Sequence, residues 1–177
     1  MSLPLLDEIP DGRACLLTWN PDDWELTAEE YYARVLITAT TGGFMNGWTL
    51  GTNFRQIEAG SEVFLFRHGD FGGIVAHGFA VCDPYPGDEN GVEVDEPSNE
   101  FWWIQVAWSL WKPLEVRLRT DELEALAPSA FDDPILASGR RLEADSSSHQ
   151  RCLLRRVRRC EAYVKASEPT DRYDALA

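Results

Sequence analysis

The sequence predicts an α+β domain in which short strands form a small barrel flanked by helices. Several apolar runs of strand length are bounded by Gly, Pro, Asn and Asp clusters, and one segment has clear helical periodicity. A chain of 177 residues with 44% hydrophobic residues suffices for one well-buried core and is short for two. We therefore expect one domain over residues 1–140, followed by a basic helix and tail over residues 141–177.

The first half of the chain predicts a strand, a helix and a loop. Residues 14–19 are apolar and end at a turn cluster, which is typical of a strand. Thr27 followed three residues later by Glu30 indicates a capping box, and the apolar spacing after it favours a helix that ends near residues 40–43. Residues 44–56 have no clean period, so we expect a structured loop over the barrel surface.

The second half predicts a hairpin, a long aromatic strand and two helices. Glycines between two apolar runs indicate a hairpin connection, and an acidic stretch rich in Pro and Gly indicates a long loop or a mobile hairpin tip. The expected elements are strands at 62–67 and 73–81, this loop or hairpin tip at 84–99, a strand at 101–111 with an extension at 114–118, and helices at 120–126 and 146–163.

Charge is distributed unevenly. Residues 1–139 hold 7 basic and 24 acidic side chains, whereas residues 140–177 hold 9 and 6. An acidic body argues against tight non-specific duplex binding, since phosphate neutralisation supplies most of that affinity. The basic segment permits two interpretations: a phosphate track, or a helix docked on the acidic body. The candidate phosphate contacts are Arg155, Arg156, Arg158 and Arg159.

Metal, cofactor and membrane signals are absent from the sequence. The four cysteines are scattered and the three histidines have no zinc-ligand spacing, so we expect neither metal nor cofactor. No uncharged apolar run of about 18 residues occurs, and the first residues lack the pattern of a signal peptide. The sequence therefore predicts no membrane partner and a cytoplasmic location.

Catalytic motifs are also lacking. Neither a G-x-S-x-G elbow nor a phosphate-binding glycine loop occurs. A hydrolase built on His68 or His77, with Cys82 as the nucleophile, is the weakest interpretation, because one pairing in sequence says nothing about hydrogen-bond reach. We expect no enzymatic activity.

Tryptophan is abundant. One predicted strand carries four of the tryptophans, Trp102, Trp103, Trp108 and Trp111. Because strand neighbours point to opposite faces, we expect these rings to pack in the core and on the outer face. Trp19 and Trp48 differ because each lies at a strand end or loop, near Asn20 and Asn53 respectively, where we expect a half-exposed ring.

Four ordered motifs carry a resemblance to a known family. They are Leu-Leu-Thr-Trp-Asn-Pro from residue 16, Trp48 with Gly51 and Asn53, Val-Phe-Leu-Phe-Arg-His-Gly from residue 63, and Gly-Ile-Val-Ala-His-Gly from residue 73. Over about residues 14–140 the chain resembles EVE domains of the PUA-like superfamily, especially those attached to HNH nucleases in modification-dependent restriction.

The resemblance implies a twisted, partly closed barrel with an aromatic pocket for one modified base flipped out of a nucleic acid. Modified cytosine in DNA is the favoured ligand, ahead of RNA, and cleavage would need a separate nuclease partner. The expected pocket residues are Trp19, Asn20, Trp48, Asn53 and Arg67. The alternative is a small-molecule or protein interaction domain without nucleic-acid affinity. An open cleft between Trp19 and Trp48 would favour the first interpretation, and a filled one the second.

Overall fold

A computed structural model describes residues 14–94, 101–126, 128–131 and 138–142. They form an α+β fold built on one mixed sheet of eight strands, so the predicted class is confirmed. The predicted basic helix at 146–163 and its four candidate phosphate-binding arginines lie outside the described residues. The expected boundary after residue 140 falls inside the last strand, which pairs with the first.

The elements follow one another closely along the chain. The strands are β1 (Ala14–Trp19), β2 (Phe44–Thr49), β3 (Glu62–Arg67), β4 (Gly73–Ala80), β5 (Tyr85–Pro86), β6 (Trp102–Trp111), β7 (Leu118–Arg119) and β8 (Arg140–Arg141). The α-helices are α1 (Ala28–Thr41), α2 (Thr120–Leu126) and α3 (Pro128–Phe131), and 3₁₀ helices cover Gly51–Gln56 and Leu114–Val116.

The strand order across the sheet is β2-β6-β4-β3-β1-β8, with β5 beside β6 and β7 beside β4. Strands β1 and β3 run parallel, and the other pairs are antiparallel. The parallel register pairs Trp19 with Arg67, so the carboxyl ends of β1 and β3 lie side by side. The turn that follows β1 at this edge of the sheet carries Trp24, the exposed member of the candidate site.

Helix α1 begins and ends as its sequence predicts. The Thr27 hydroxyl accepts a hydrogen bond from the Glu30 amide, and the Glu30 carboxylate accepts one from the Thr27 amide. Gly42 ends the helix in the left-handed conformation, at φ 82°, and its N–H donates a hydrogen bond to the Thr38 carbonyl. A residue without Cβ adopts this conformation at little cost.

Two hydrophobic clusters cover the two faces of the sheet. The larger one packs buried Tyr31 and Val35 of α1 against β1, β3, β4 and β6. The smaller one joins Leu123 of α2 and Phe131 of α3 to the same strands from the other side. Strand β6 alternates between buried and partly exposed positions over most of its length, as expected of a strand with one face in the core and the other partly open to solvent.

Two expectations for local structure are wrong. Residues 44–49 form β2 rather than a loop, because they pair along their whole length with β6 although Asn46 and Gly47 interrupt the apolar pattern. Residues 114–118 do not extend β6: Pro113 starts a 3₁₀ turn, and only Leu118 and Arg119 return to the sheet, beside β4. Of the two expectations for the acidic stretch, its described residues 84–94 form a hairpin tip, with the two-residue strand β5 and an antiparallel bridge between Gly87 and Glu93.

The described sheet is open, since no pairing joins its end strands β2 and β8 within the described ranges. The 3₁₀ helix Gly51–Gln56 spans the gap. The side-chain Nδ2 of Asn53 donates to the Ser138 carbonyl, and the backbone N–H of Arg141 donates to Gln56 Oε1. A partly closed barrel is therefore not confirmed by strand pairing. No helix in the described part of the chain is long and apolar enough to cross a membrane.

Candidate functional site at the carboxyl ends of β1 and β3

A tight turn after β1 positions the first aromatic residue of the site. Asn20 Oδ1 accepts from the Asp22 amide at 3.2 Å, and Asn20 Nδ2 donates to Asp23 Oδ2 at 2.9 Å. The Asn20 carbonyl also accepts from the amides of Asp23 and Trp24. The Asn20 side chain, predicted to read a base edge, is therefore engaged in holding this turn, and the turn presents Trp24.

Trp19 is buried, only 4% exposed, and not half-exposed as predicted. Its ring stacks on Tyr31 with centroids 5.8 Å apart, and its Nε1 donates to the Trp24 carbonyl at 2.7 Å. Arg67 Cζ lies 5.3 Å from the Trp19 ring centroid. Buried Trp19 thus contacts Tyr31, Trp24 and Arg67 and fixes their relative positions.

Trp48 is also buried, at 2% exposed, which corrects the second half-exposed ring. It faces inward from β2 and donates from Nε1 to the Thr18 carbonyl at 3.4 Å. Trp24 bridges the two predicted pocket walls, since its carbonyl bonds to Trp19 and its ring packs edge-on against Trp48. The space between Trp19 and Trp48 is therefore filled.

Four tryptophans and an arginine form a closed circuit, which we call the tryptophan cluster. The ring centroids of Trp24 and Trp48 are 5.1 Å apart, and those of Trp48 and Trp108 are 5.7 Å apart. Trp108 and Trp111 are likewise 5.7 Å apart, and Arg34 Cζ closes the circuit at 5.0 Å from Trp111 and 5.6 Å from Trp24. Trp24 is 45% exposed, so the cluster opens to solvent on its side.

The tryptophan cluster contains buried hydrogen-bond donors without acceptors. Arg34 Nη1, Trp108 Nε1 and Trp111 Nε1 are buried and make no hydrogen bond in the described structure. Burial lowers the pKa of Arg34, and Glu30 opposes that shift only in part. Since buried N–H groups without partners are costly, three of them in one cluster favour a ligand that brings acceptors.

Asn53 and Arg67, two of the five predicted pocket residues, have their recorded partners outside the tryptophan cluster. Asn53 bonds to the carbonyl of Ser138 at 3.3 Å and holds the gap between the sheet edges. Arg67 is next to Trp19 and donates from Nη1 to the His68 carbonyl. Of the five, Trp48 alone is a member of the cluster.

Sequence reasoning missed Trp24 and Arg34. Trp24 stands in an Asp-rich turn, where a large aromatic residue is an unusual choice, and that was the available signal. Arg34 follows Tyr31 by three residues on α1, which places both on one helix face. Trp108 and Trp111 were predicted as core, and both are buried.

The histidines of the hydrolase interpretation are engaged in structural contacts. His77 lies between Phe64 and Phe79, with Nε2 2.7 Å from Glu62 Oε1 and Nδ1 2.9 Å from Ser109 Oγ. His77 and Glu62 are 1% and 3% exposed, so neither reaches a substrate as the structure stands.

His68 lies at the start of the hairpin connection, edge-on to Phe66. Burial lowers its pKa, although the Asp23 carboxylate opposes that shift. In the described ranges, no group of three or more His, Cys, Asp or Glu side chains is arranged to hold a metal ion.

A separate groove of about 430 Å³ lies beside β5 and β6. It is acidic and shares no residue with the tryptophan cluster, and its lining residues already bond to one another: Gln105 Nε2 donates to the Tyr85 hydroxyl. Its carboxylates disfavour a polyanion. The groove is lined by Cys82, Asp83, Tyr85, Gly91, Glu93 and Gln105.

Comparisons with known proteins give a fold and no function. No family model matches the sequence, and no curated protein matches it. Among solved structures, the chain is similar to the NMR structure of Rpa0253 from Rhodopseudomonas palustris, with a TM-score of 0.53 and 14% identity over 82% of this chain and 92% of that one. At that identity the likeness concerns the fold alone.

Proposed function

We propose that the chain is a non-enzymatic binding module that takes a modified nucleobase, with modified cytosine in DNA as the favoured ligand, at the tryptophan cluster. The observation that carries the proposal is the closed circuit of four indole rings and a guanidinium with three unpartnered donors. Aromatic faces restore about 1–3 kcal/mol of stacking per flipped base, and N–H donors bind its carbonyl oxygens and ring nitrogens.

The base enters between Trp24 and Trp48. These rings meet edge-on at 66°, whereas a sandwiched base needs two parallel planes about 7 Å apart, twice the carbon contact distance of about 3.5 Å. Trp24 must therefore rotate outward. Its backbone stays fixed by the Trp19 and Asn20 hydrogen bonds while its exposed ring turns. Trp48, held by Thr18, provides the fixed face.

The barrel belongs to the same proposal. The sheet edges approach through the 3₁₀ helix Gly51–Gln56, whose Gln56 carbonyl also accepts from the Cys15 thiol at 3.5 Å. We infer that this helix completes a partly closed, PUA-like barrel, with Asn53 as a closing contact rather than a base reader. Cleavage of bound nucleic acid then requires a separate nuclease partner.

Single-stranded oligonucleotides test the proposal. The full chain is titrated with two DNA strands that are identical except for one 5-methylcytosine or cytosine, and tryptophan fluorescence reports binding. The informative variant is Trp24→Ala, because Trp48→Ala would empty a buried site and cost about 3–5 kcal/mol of stability. Phe101→Ala is the control, as another exposed aromatic outside the cluster.

The wild type and Phe101→Ala should prefer the methylated strand, and Trp24→Ala should bind it roughly 5- to 100-fold more weakly at unchanged melting temperature. Equal affinity for both strands in the wild type would reject base recognition at this site.

The alternative function, a small-molecule or protein interaction domain, is favoured by two observations. The space between Trp19 and Trp48 is filled, and α1 exposes Tyr32, Leu36 and Ile37 on its outer side. If this face is the functional surface, Leu36→Glu should abolish partner binding, and the nucleobase titration should show no preference.

A further inference from the structure

The tip of the β3–β4 hairpin places one exposed aromatic ring between two arginines, which we call the arginine clamp. Phe71 is 47% exposed. Arg67 Cζ lies 5.6 Å from its ring centroid and Arg117 Cζ lies 5.3 Å from it. Arg67 and Phe71 belong to the same hairpin, at the end of β3 and in the connection, whereas the fold brings in Arg117 from the residue before β7.

Arg67 contacts two aromatic rings, since its Cζ lies 5.6 Å from the Phe71 ring centroid and 5.3 Å from that of Trp19. One of its five N–H groups bonds to the His68 carbonyl, and its buried Nε has no partner. Burial lowers the pKa of Arg67, and the positive charge of Arg117 lowers it further. The guanidinium is thus fixed in place with an unsatisfied donor and a like charge nearby.

Arg117 is fixed by backbone carbonyls. Its Nε donates to Gly72 at 3.1 Å and its Nη1 donates to Leu114 at 2.8 Å, which leaves three of its five N–H groups for other acceptors. Both guanidiniums are therefore oriented before any ligand arrives, which lowers the entropy lost on binding.

The arginine clamp lacks a carboxylate partner within the described residues. Neither Arg67 nor Arg117 forms a salt bridge there, although the chain carries a net charge of −14. Asp22 and Asp70 are near enough to favour the charged form of Arg67, but neither bonds to it. Arg119 shows the contrast, since it bonds to the Asp121 carboxylate two residues along the chain.

We propose that the arginine clamp is a binding site for a phosphate group, either of a free nucleotide or of a nucleic-acid backbone. Planar guanidiniums match phosphoryl oxygens in fork geometry, and a dianion or diester relieves the repulsion between the two arginines. The exposed Phe71 face adds a stacking surface for a sugar or base attached to that phosphate. The site is separate from the tryptophan cluster and does not depend on its ligand.

Inorganic phosphate, a nucleoside 5′-monophosphate and an unmodified single-stranded oligodeoxynucleotide are the three probes. Each is titrated into the full chain at low salt by calorimetry, while the ¹⁵N signals of the arginine Nε–H groups are followed by NMR. The variants are Arg117→Gln and Phe71→Ser. The matched control is Arg119→Gln, which removes an exposed arginine on β7, beside the start of β4.

At least one probe should bind Arg117→Gln tenfold or more weakly than it binds Arg119→Gln, and it should shift the Arg67 Nε–H signal in the wild type. If the monophosphate binds and the strand does not, the source is a free nucleotide. If the strand binds and displaces the monophosphate, the clamp accepts the phosphates of a nucleic-acid backbone. Because Phe71 is exposed and outside the core, Phe71→Ser should leave the fold intact, and it should weaken the binding of the nucleotide more than that of inorganic phosphate. The proposal is overturned if no probe distinguishes Arg117→Gln from the control.

Failure of the arginine clamp and failure of base recognition give different results. Trp24→Ala should leave the affinity for inorganic phosphate unchanged, since that residue is not part of the clamp. Arg117→Gln should weaken methylated and unmodified strands equally and leave their ratio unchanged.

Discussion

Cys15 on β1 is a buried thiol whose protonation is linked to folding. Burial raises its pKa from 9.0 to about 11, against a small opposing effect of Arg141. A group with a raised folded pKa stabilises the fold below its unfolded pKa and loses that contribution as pH rises, here between about 9 and 11. The free energy of unfolding should therefore fall by about 2 kcal/mol from this thiol between pH 8 and pH 10.5.

The comparison that isolates Cys15 is urea unfolding of the wild type and Cys15→Ala, both reduced, at the two pH values. The stability of the wild type should decrease more than that of Cys15→Ala, by about 2 kcal/mol. An identical decrease in both proteins would show that the thiol does not titrate with folding.

Glu62 and His77 form a buried pair that shares one proton. His77 Nδ1 lies 2.9 Å from Ser109 Oγ, and Nε2 lies 2.7 Å from Glu62 Oε1, a hydrogen-bond distance that places one proton between the ring nitrogen and the carboxylate. Glu62→Ala removes one member of this pair and should cost about 3–5 kcal/mol. Glu62→Gln should cost only about 1 kcal/mol, because the amide can donate to neutral His77.

Urea denaturation measures the free energy of unfolding of Glu62→Ala and Glu62→Gln. The control is Asp121→Asn, a carboxylate change at an exposed position, which should leave the free energy of unfolding unchanged. Equal losses for Glu62→Ala and Glu62→Gln would contradict the shared-proton arrangement. A histidine in an apolar strand was visible in the sequence, but its partner fifteen residues earlier becomes visible only through the β3–β4 register.

At the scale of elements, local signals predicted α1 and the β3–β4 hairpin because each is encoded within a few residues. Thr27, Glu30 and Gly42 define the ends of α1 by hydrogen bonds that the sequence spacing already implies. Strand β2 was missed because Asn46 and Gly47 weaken its pattern and pairing with β6 decides its conformation. The same limit applies to the site, since Trp24 and Arg34 meet Trp108 and Trp111 only after the sheet forms.

The capping box allows a test of α1 as an element. Thr27→Ala removes the acceptor for the Glu30 amide and should lower the free energy of unfolding by about 1 kcal/mol. Thr27→Ser keeps that oxygen and should be close to wild type, whereas equal losses for the two variants would show that the hydroxyl is not the cap. Chemical denaturation measures both.

At the scale of the whole molecule, an acidic chain carries two groups of aromatic and cationic side chains close to each other. The tryptophan cluster and the arginine clamp both border the carboxyl ends of β1 and β3, joined through Trp19, which contacts Arg67 by its ring and Trp24 by its Nε1. Local positive charge at this edge would offset the long-range repulsion that a net charge of −14 imposes on a nucleic acid.

The basic segment at the other end of the sequence, outside the described residues, has two roles open to it. Replacing Arg155, Arg156, Arg158 and Arg159 together with Gln separates them. If these arginines bind phosphates, the slope of log affinity against log salt for a DNA strand should flatten by about 0.7–0.9 for each phosphate that is no longer neutralised, at unchanged melting temperature. If they dock on the acidic body, the melting temperature should fall and the slope should stay the same. Phosphate contacts at the arginine clamp would also contribute to this salt dependence, so the quadruple variant should be measured with and without Arg117→Gln. If Arg117→Gln alone flattens the slope of log affinity against log salt and the quadruple variant does not, the backbone contacts are made by the clamp.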